Sequence, residues 1–474
     1  MVSATVPFET AGQAPATNER RIPHAVVMML MIIVAAVALT YVVPAGEYQR
    51  TPAGLVVPGS FHTVVKSYAD VLTLTSKREK GVAYPARPVA IVSSIPAGMT
   101  RSAALIFMIL FIGGMFGVLQ QTGALEAGTE RLLVVTRGNA NVLVPIVMIL
   151  LAAGSTFLGL ISEYLVVIPM ALLLAERLGY DALFGTAMVT IAAKIGYLTS
   201  VTNPLALAVA QPLVGVPVFS GALFRAIVLA VFLPLGIWFL LRSSGRRRIV
   251  AEAPPTFHAD KLAGRHVGVL LVLLASVVVM IVGVRSYAWG NAELSAMYIV
   301  VAIAIALVAR MSADGAAQAF LKGMQGMLLA GVLVGLAAGV EVVLRDALVL
   351  DSIVAFLSSS VAGKGPAVVA VLMMGVQMVI DVFIPSTSGK AAITMPILGP
   401  IAHLSGVSGQ VTVLAFLFGN GLMNTLTPTS GMLLAYLAAG KVSYGSWIRF
   451  VLPLALGLLV LCALALLVAV GLGL

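Results

Sequence analysis

Apolar residues fill this chain in long blocks, with short polar joints between them. Blocks long enough to cross a bilayer fall at about 25–44, 102–120, 181–212, 220–241, 267–285, 295–310, 321–343, 410–440 and 447–472. A crossing helix needs roughly 20 predominantly apolar residues, so each block predicts a transmembrane span. Two further apolar regions, 141–178 and 365–403, are each about 38 residues long, too long for one crossing. Each is interrupted in its middle by small and polar residues, "GSTFLGLISEY" at 154–164 and "IPSTSGKAA" at 384–392. We read these regions as re-entrant helical hairpins. The long blocks at 181–212 and 410–440 are also broken, by "TSVTNP" at 199–204 and "NTLTPTSG" at 424–431.

The pattern occurs twice. "RHVGVLLVLLASVVVMIVGV" at 265–284 echoes "PHAVVMMLMIIVAAVALTYV" at 23–42. At a separation of 227, Pro169 matches Pro396 and Glu163 matches Lys390. At a separation of 224, Pro204 matches Pro428, Gly221 matches Gly445 and Arg225 matches Arg449. The chain divides into a first repeat at 23–241, a linker at 242–266 and a second repeat at 267–474. Each repeat holds one hairpin (141–178, 365–403) and one broken span (181–212, 410–440). Five crossings separate the two hairpins, and an odd number inverts the second repeat relative to the first. Inverted repeats with interrupted helices near the midplane are typical of secondary transporters. The expected fold class is an all-α polytopic membrane protein, with a re-entrant hairpin and a broken transmembrane helix in each inverted repeat.

Composition agrees with that reading. Of 474 residues, 60% are hydrophobic and 10% charged, against about 25% charged in soluble domains. The net charge of +10 does not imply nucleic acid, because the basic residues cluster in joints between spans. The linker "RSSGRRRIVAEAPPTFHADKLAGRH" is therefore expected in the cytoplasm, and Arg20 and Arg21 place the N-terminus there too. Residues 1–22 are polar and expected to be disordered. The basic loop at 45–101 then lies outside, which its length allows, since long loops translocate largely regardless of charge. Trp238, Trp289 and Trp447 lie near span ends and are expected in the interfacial belt. The single cysteine, Cys462, rules out a disulfide framework. No HExxH, GxSxG or phosphate loop is present, so no enzyme constellation competes and no cofactor is expected.

Non-helical backbone at membrane depth is tolerated only where it is buried in protein or lines a wet cavity. The two tips and two breaks are four such places. Prolines there free backbone carbonyls, and Thr, Ser and Asn add further oxygens. These groups suit a small hard cation, and helix N-termini beside them suit a carboxylate. Expected solute ligands are Ser162, Glu163, Asn203, Ser386, Thr387, Ser388, Gly389, Lys390, Asn424, Thr429 and Ser430. Expected ligands of a coupling ion, Na⁺ or H⁺, are Glu163, Thr202, Asn203, Ser386, Thr427 and Pro428. Ionisable groups at membrane depth mark function by default, so Glu163 and Lys390 carry most weight. Lys194 and Asp381 are candidate structural counter-charges, and Tyr197, Gln211, Asn420 and Tyr436 are secondary contacts. Glu341, Arg345 and Asp346 fall at a span end and are read as interfacial. The bland alternative is that membrane Ser and Thr bond only their own or a neighbouring helix.

"ALTYVVPAGEYQR" with "VVPGSFH", "FIPSTSGKAAITMPILGPIA" and "NTLTPTSG" resemble the C4-dicarboxylate anaerobic carrier family. The resemblance runs from about 22 to 472 and is closest to the YfcC-like branch, associated with basic amino acid exchange such as arginine/ornithine. It implies the ion transporter superfamily fold, homodimers and an elevator-like movement of the hairpins. Dicarboxylate members of that superfamily carry Ser-Asn-Thr at each tip, ten residues ahead of a proline. Ser386, Thr387 and Ser388 stand at that spacing before Pro396, whereas Gly159, Leu160 and Ile161 stand there before Pro169. The first tip thus departs from the motif.

The expected function is secondary active transport of a small carboxylate-bearing solute across a bacterial cytoplasmic membrane by alternating access. An amino acid is preferred, because the matched tips offer one acid and one base. A short dicarboxylate is the alternative solute, and an ion channel is the alternative class.

Overall fold

A computed structural model describes residues 25–52, 55–68, 81–136, 138–247, 263–287 and 289–474. The N-terminal residues 1–22 and most of the 242–266 linker lie outside the described residues. The first half holds α1 (Ala25–Val42), a two-stranded hairpin of β1 (Gly46–Glu47) and β2 (His62–Thr63), α2 (Ala90–Arg101), α3 (Ala103–Gln121), α4 (Ala124–Val135), α5 (Ala140–Ala153), α6 (Val167–Arg177), α7 (Ala182–Thr199), α8 (Pro204–Leu213) and α9 (Ala222–Arg247). The second half holds α10 (Gly264–Tyr287), α11 (Asn291–Val308), α12 (Ala313–Asp346), α13 (Leu350–Ser359), α14 (Pro366–Phe383), α15 (Thr387–Leu404), α16 (Gly409–Leu426), α17 (Gly431–Ala439) and α18 (Tyr444–Gly471). Both hairpins and both broken spans are present: α5/α6, α14/α15, α7/α8 and α16/α17. Among the described residues nine helices are long and apolar enough to cross a membrane.

Helices α2 and α3 of the first half run antiparallel to α12 of the second. Gly98 of α2 lies against Gly335 and Gly339 of α12, while Gly117 of α3 lies against Ala319 and Gly323. A methyl group on Gly117 would stand 2.1 Å from the Ala319 carbonyl oxygen. Small residues four apart let helix backbones approach this closely where lipid gives no hydrophobic drive for association. The broken spans also run antiparallel. Leu198 of α7 meets Gly421 of α16, and Lys194 shares a crevice with Thr425.

The outer helices are apolar on their outward faces as well. On α18, Leu452, Leu456, Val460 and Leu464 are exposed and recur every four residues, one stripe of a helix surface. In water such a stripe would be covered; here lipid is its solvent.

Three expectations change. The 45–101 segment is not all loop, because α2 occupies its last 12 residues. Ser93, Ser94, Pro96, Thr100 and Arg101 dilute the apolar signal there. Helix α12 runs 34 residues to Asp346, so Glu341 lies inside it and not at its end. Trp447 is fully buried and its indole N–H donates to the Thr425 carbonyl at 3.0 Å, so it is a core anchor, not part of an interfacial belt.

Candidate functional site

The second tip is built around a charge pair. Helix α14 stops at Phe383, and Ser386 caps α15 by accepting the Gly389 N–H at 3.3 Å. Asp381 and Lys390 flank this bend. Lys390 Nζ donates to Asp381 Oδ1 at 2.6 Å, with both side chains 0% exposed. Asn424 Nδ2 donates to both Asp381 oxygens, at 3.2 and 3.0 Å, and Ser430 Oγ donates to Asn424 Oδ1 at 2.9 Å. The hairpin is thereby tied to the break between α16 and α17. Lys390 also lies 5.5 Å over the Phe416 ring, a cation–π contact.

The first tip is neutral where it meets its own break. Residues Gly154–Leu158 form a wide π turn, Gly159 takes φ 77°, and Ser162–Val166 form a 3₁₀ turn. Thr156 is the hub: its hydroxyl pairs with Thr199 Oγ1 at 3.1 Å and accepts the Val201 N–H at 2.9 Å. Its carbonyl accepts the Thr202 N–H at 3.0 Å. Asn203 caps α8 by accepting the Leu205 N–H at 3.0 Å. A methyl group on Gly159 would stand 2.5 Å from that Asn203 oxygen, so the close approach needs glycine. Glu163 accepts the Ile161 N–H at 2.9 Å and stays at its own tip.

Each tip is latched by a tyrosine from the other repeat. Tyr436 of α17 donates to the Ile161 carbonyl, and the Tyr197 and Thr387 hydroxyls hydrogen-bond each other. Asn420 Nδ2 donates to both of the latter oxygens at 3.1 Å. Gln211 lies apart, donating to the Ser220 carbonyl at 2.9 Å.

A cavity of about 370 Å³ opens where the second tip and second break face α2, α3 and α12. It collects Ser386, Asn424, Thr429 and Ser430 from the expected set. Opposite them stand Arg101 and Glu341, joined at 3.1 Å. Thr427 is buried beside it, 2.7 Å from the Thr429 hydroxyl. Ser162, Glu163, Thr202, Asn203, Thr387, Ser388, Lys390 and Pro428 do not line this cavity, and Gly389 lines a neighbouring one of about 410 Å³ with Arg345 and Asp351. The acid and base that the sequence matched, Glu163 and Lys390, thus bind separate partners, and another acid and base face the cavity. Arg101 falls in the 45–101 segment that the apolar pattern reads as loop. Glu341 falls near the end of an apolar block, where the pattern reads it as interfacial. Arg101 follows Gly98, which packs α2 against α12, by about one helical turn.

Lys194 is buried among apolar neighbours, including Ile191, Leu198, Leu422 and Leu454. It feels the Asp381 charge, yet among the described residues no hydrogen bond or ion pair reaches its ammonium.

The sequence matches the model of one protein family, described as C4-dicarboxylate anaerobic carrier, over residues 22–471. The chain belongs to the C4-dicarboxylate anaerobic carrier family. A relative from Escherichia coli (strain K12), YfcC, provisionally named a basic amino acid antiporter, is 28% identical over 91% of this chain and 93% of its own. A Haemophilus influenzae protein of unassigned function is 26% identical over 95% of this chain and 97% of its own. Among solved structures, the Alcanivorax borkumensis YdaH transporter aligns with a TM-score of 0.45 at 18% identity, covering 95% of this chain and 99% of that one. Neisseria gonorrhoeae MtrF, of a class of antimetabolite efflux pumps, aligns with a TM-score of 0.46 at 16% identity, covering 95% of each. The chain is accordingly a multi-pass membrane transporter of this carrier family.

Proposed function

We propose that this carrier exchanges amino acids by alternating access, with the N-terminus cytoplasmic and Na⁺ or H⁺ as coupling ion. The observation that carries the reading is the cavity with the Arg101–Glu341 pair on one wall and Ser386, Asn424, Thr429 and Ser430 on the other. Ser386 and Ser430 cap helices α15 and α17, whose N-terminal dipoles favour a carboxylate. A zwitterion satisfies a wall that carries both signs. The provisional name of the Escherichia coli relative agrees with an amino acid. The family description favours a short dicarboxylate as the second reading, with Arg101 and the two helix N-termini as its ligands.

Counterflow in proteoliposomes separates these. Vesicles loaded with unlabelled arginine should accumulate labelled arginine transiently, and vesicles loaded with succinate should not. Accumulation driven by succinate alone would shift the assignment to dicarboxylates. A channel cannot accumulate label against its gradient, so absence of any counterflow, with solute-dependent leak, would point to that class. Repeating the assay with and without Na⁺ identifies the coupling ion.

A further inference from the structure

The Arg101–Glu341 pair is unevenly satisfied. Glu341 is 8% exposed at its side chain and sits on α12, facing the cavity. Arg101 Nη2 donates to its Oε1 at 3.1 Å, and Arg345 Nη2 donates to the same Oε1. Among the described residues no hydrogen bond is made to Oε2. An ionised carboxylate accepts about four hydrogen bonds over its two oxygens. Arg101 is 41% exposed and has five N–H donors, of which this bridge uses one. Both groups therefore keep free hydrogen-bonding capacity in the wall of one cavity.

We propose that Arg101 and Glu341 read the two charges of the amino acid head group: Glu341 Oε2 accepts from the α-ammonium, and the Arg101 guanidinium donates to the α-carboxylate. Arg345, one turn along α12 and lining the neighbouring cavity, holds Glu341 in place from behind. A dicarboxylate would set its second carboxylate against Glu341, and a simple amine would leave Arg101 without an anion. Only a solute with both charges close together completes the wall. The opposite wall belongs to the hairpin and the broken span, so a bound head group bridges the seam between them and α2/α12. This deepens the amino acid reading above and rests on it.

The test uses three ligands on the purified full-length carrier: arginine, 5-guanidinopentanoate, which lacks the α-amino group, and agmatine, which lacks the carboxylate. Wild type should bind arginine roughly tenfold or more tighter than either analogue, since each lost charge-assisted bond is worth about that factor. Glu341→Gln should erase the preference for arginine over 5-guanidinopentanoate and keep the preference over agmatine. Arg101→Gln should do the reverse. Arg101 is half-exposed, so its variant should fold even if the Glu341 variant does not, and size-exclusion profiles check both. Glu341→Asp should restore part of the ammonium preference. If wild type discriminates but Arg101→Gln leaves both preferences unchanged, the head-group assignment fails while the amino acid reading stands. If wild type binds none of the three and counterflows only dicarboxylate, both fail.

Discussion

The Lys390 ammonium lies 2.6 Å from Asp381 Oδ1, nine residues away across the bend of the second hairpin, and neither side chain reaches solvent. Removing one partner of such a pair leaves an uncompensated buried charge, at a cost of about 3–5 kcal/mol. Replacing both by apolar groups is far cheaper. Lys390→Met and Asp381→Leu should each lower the melting temperature of the purified carrier sharply. Lys390→Met/Asp381→Leu should melt nearer to wild type than either single variant. Additive losses in this double-mutant cycle would show that the two residues act independently.

Lys194 makes the opposite prediction. Its side chain is buried in a crevice lined by Ile191, Leu198 and Leu422, and among the described residues no hydrogen bond reaches its ammonium. An apolar side chain of similar length relieves the desolvation without opening a hole. Lys194→Met should therefore leave the melting temperature unchanged or raise it, while Lys194→Ala should lower it through the cavity left behind. A large drop for Lys194→Met would mean that Asp381 depends on Lys194 as well as on Lys390.

The apolar blocks, the two hairpins and the two breaks were legible in sequence because each rests on local chemistry: length, hydropathy and proline. The contact partners were not legible. Lys390 matches Glu163 by repeat position, yet Asp381 lies nine residues away on the adjoining leg and reaches it first. Repeat symmetry relates positions; it does not bring them into contact. The Arg101–Glu341 contact is illegible for a related reason. Their helices α2 and α12 meet through Gly98, Gly335 and Gly339, a tertiary contact that the apolar blocks do not reveal.

That seam between α2/α3 and α12 is itself testable. A Cβ on Gly323 would lie 2.1 Å from the Gly113 carbonyl oxygen, backbone that cannot swing aside. Gly323→Val should abolish monodisperse folded protein in detergent. Gly128 offers a control, because its nearest neighbour is the flexible Leu270 side chain at 3.2 Å. Gly128→Ala should express and melt like wild type. A well-folded Gly323→Val carrier with normal counterflow would show that the helices can separate without loss.

The loop between α1 and α2 is pinned to α13 by one carboxylate. Asp351 accepts the Tyr48 backbone N–H at 3.1 Å and binds Arg50 at 2.9 Å. Burial, reinforced by the negative Asp351, pushes the Tyr48 phenol up to about 12. An unfolded tyrosine titrates near 10. The neutral phenol is thus favoured in the folded state, and its stabilisation is complete below about pH 10 and lost as pH rises toward about 12. Other groups titrate in the same window, so the informative quantity is the difference between wild type and Tyr48→Phe. The gap in melting temperature between the two should be constant up to about pH 10 and then shift against wild type, because only wild type must ionise a buried phenol at this position. A gap that stays constant through about pH 12 would show that the Tyr48 ring is solvated in the folded carrier.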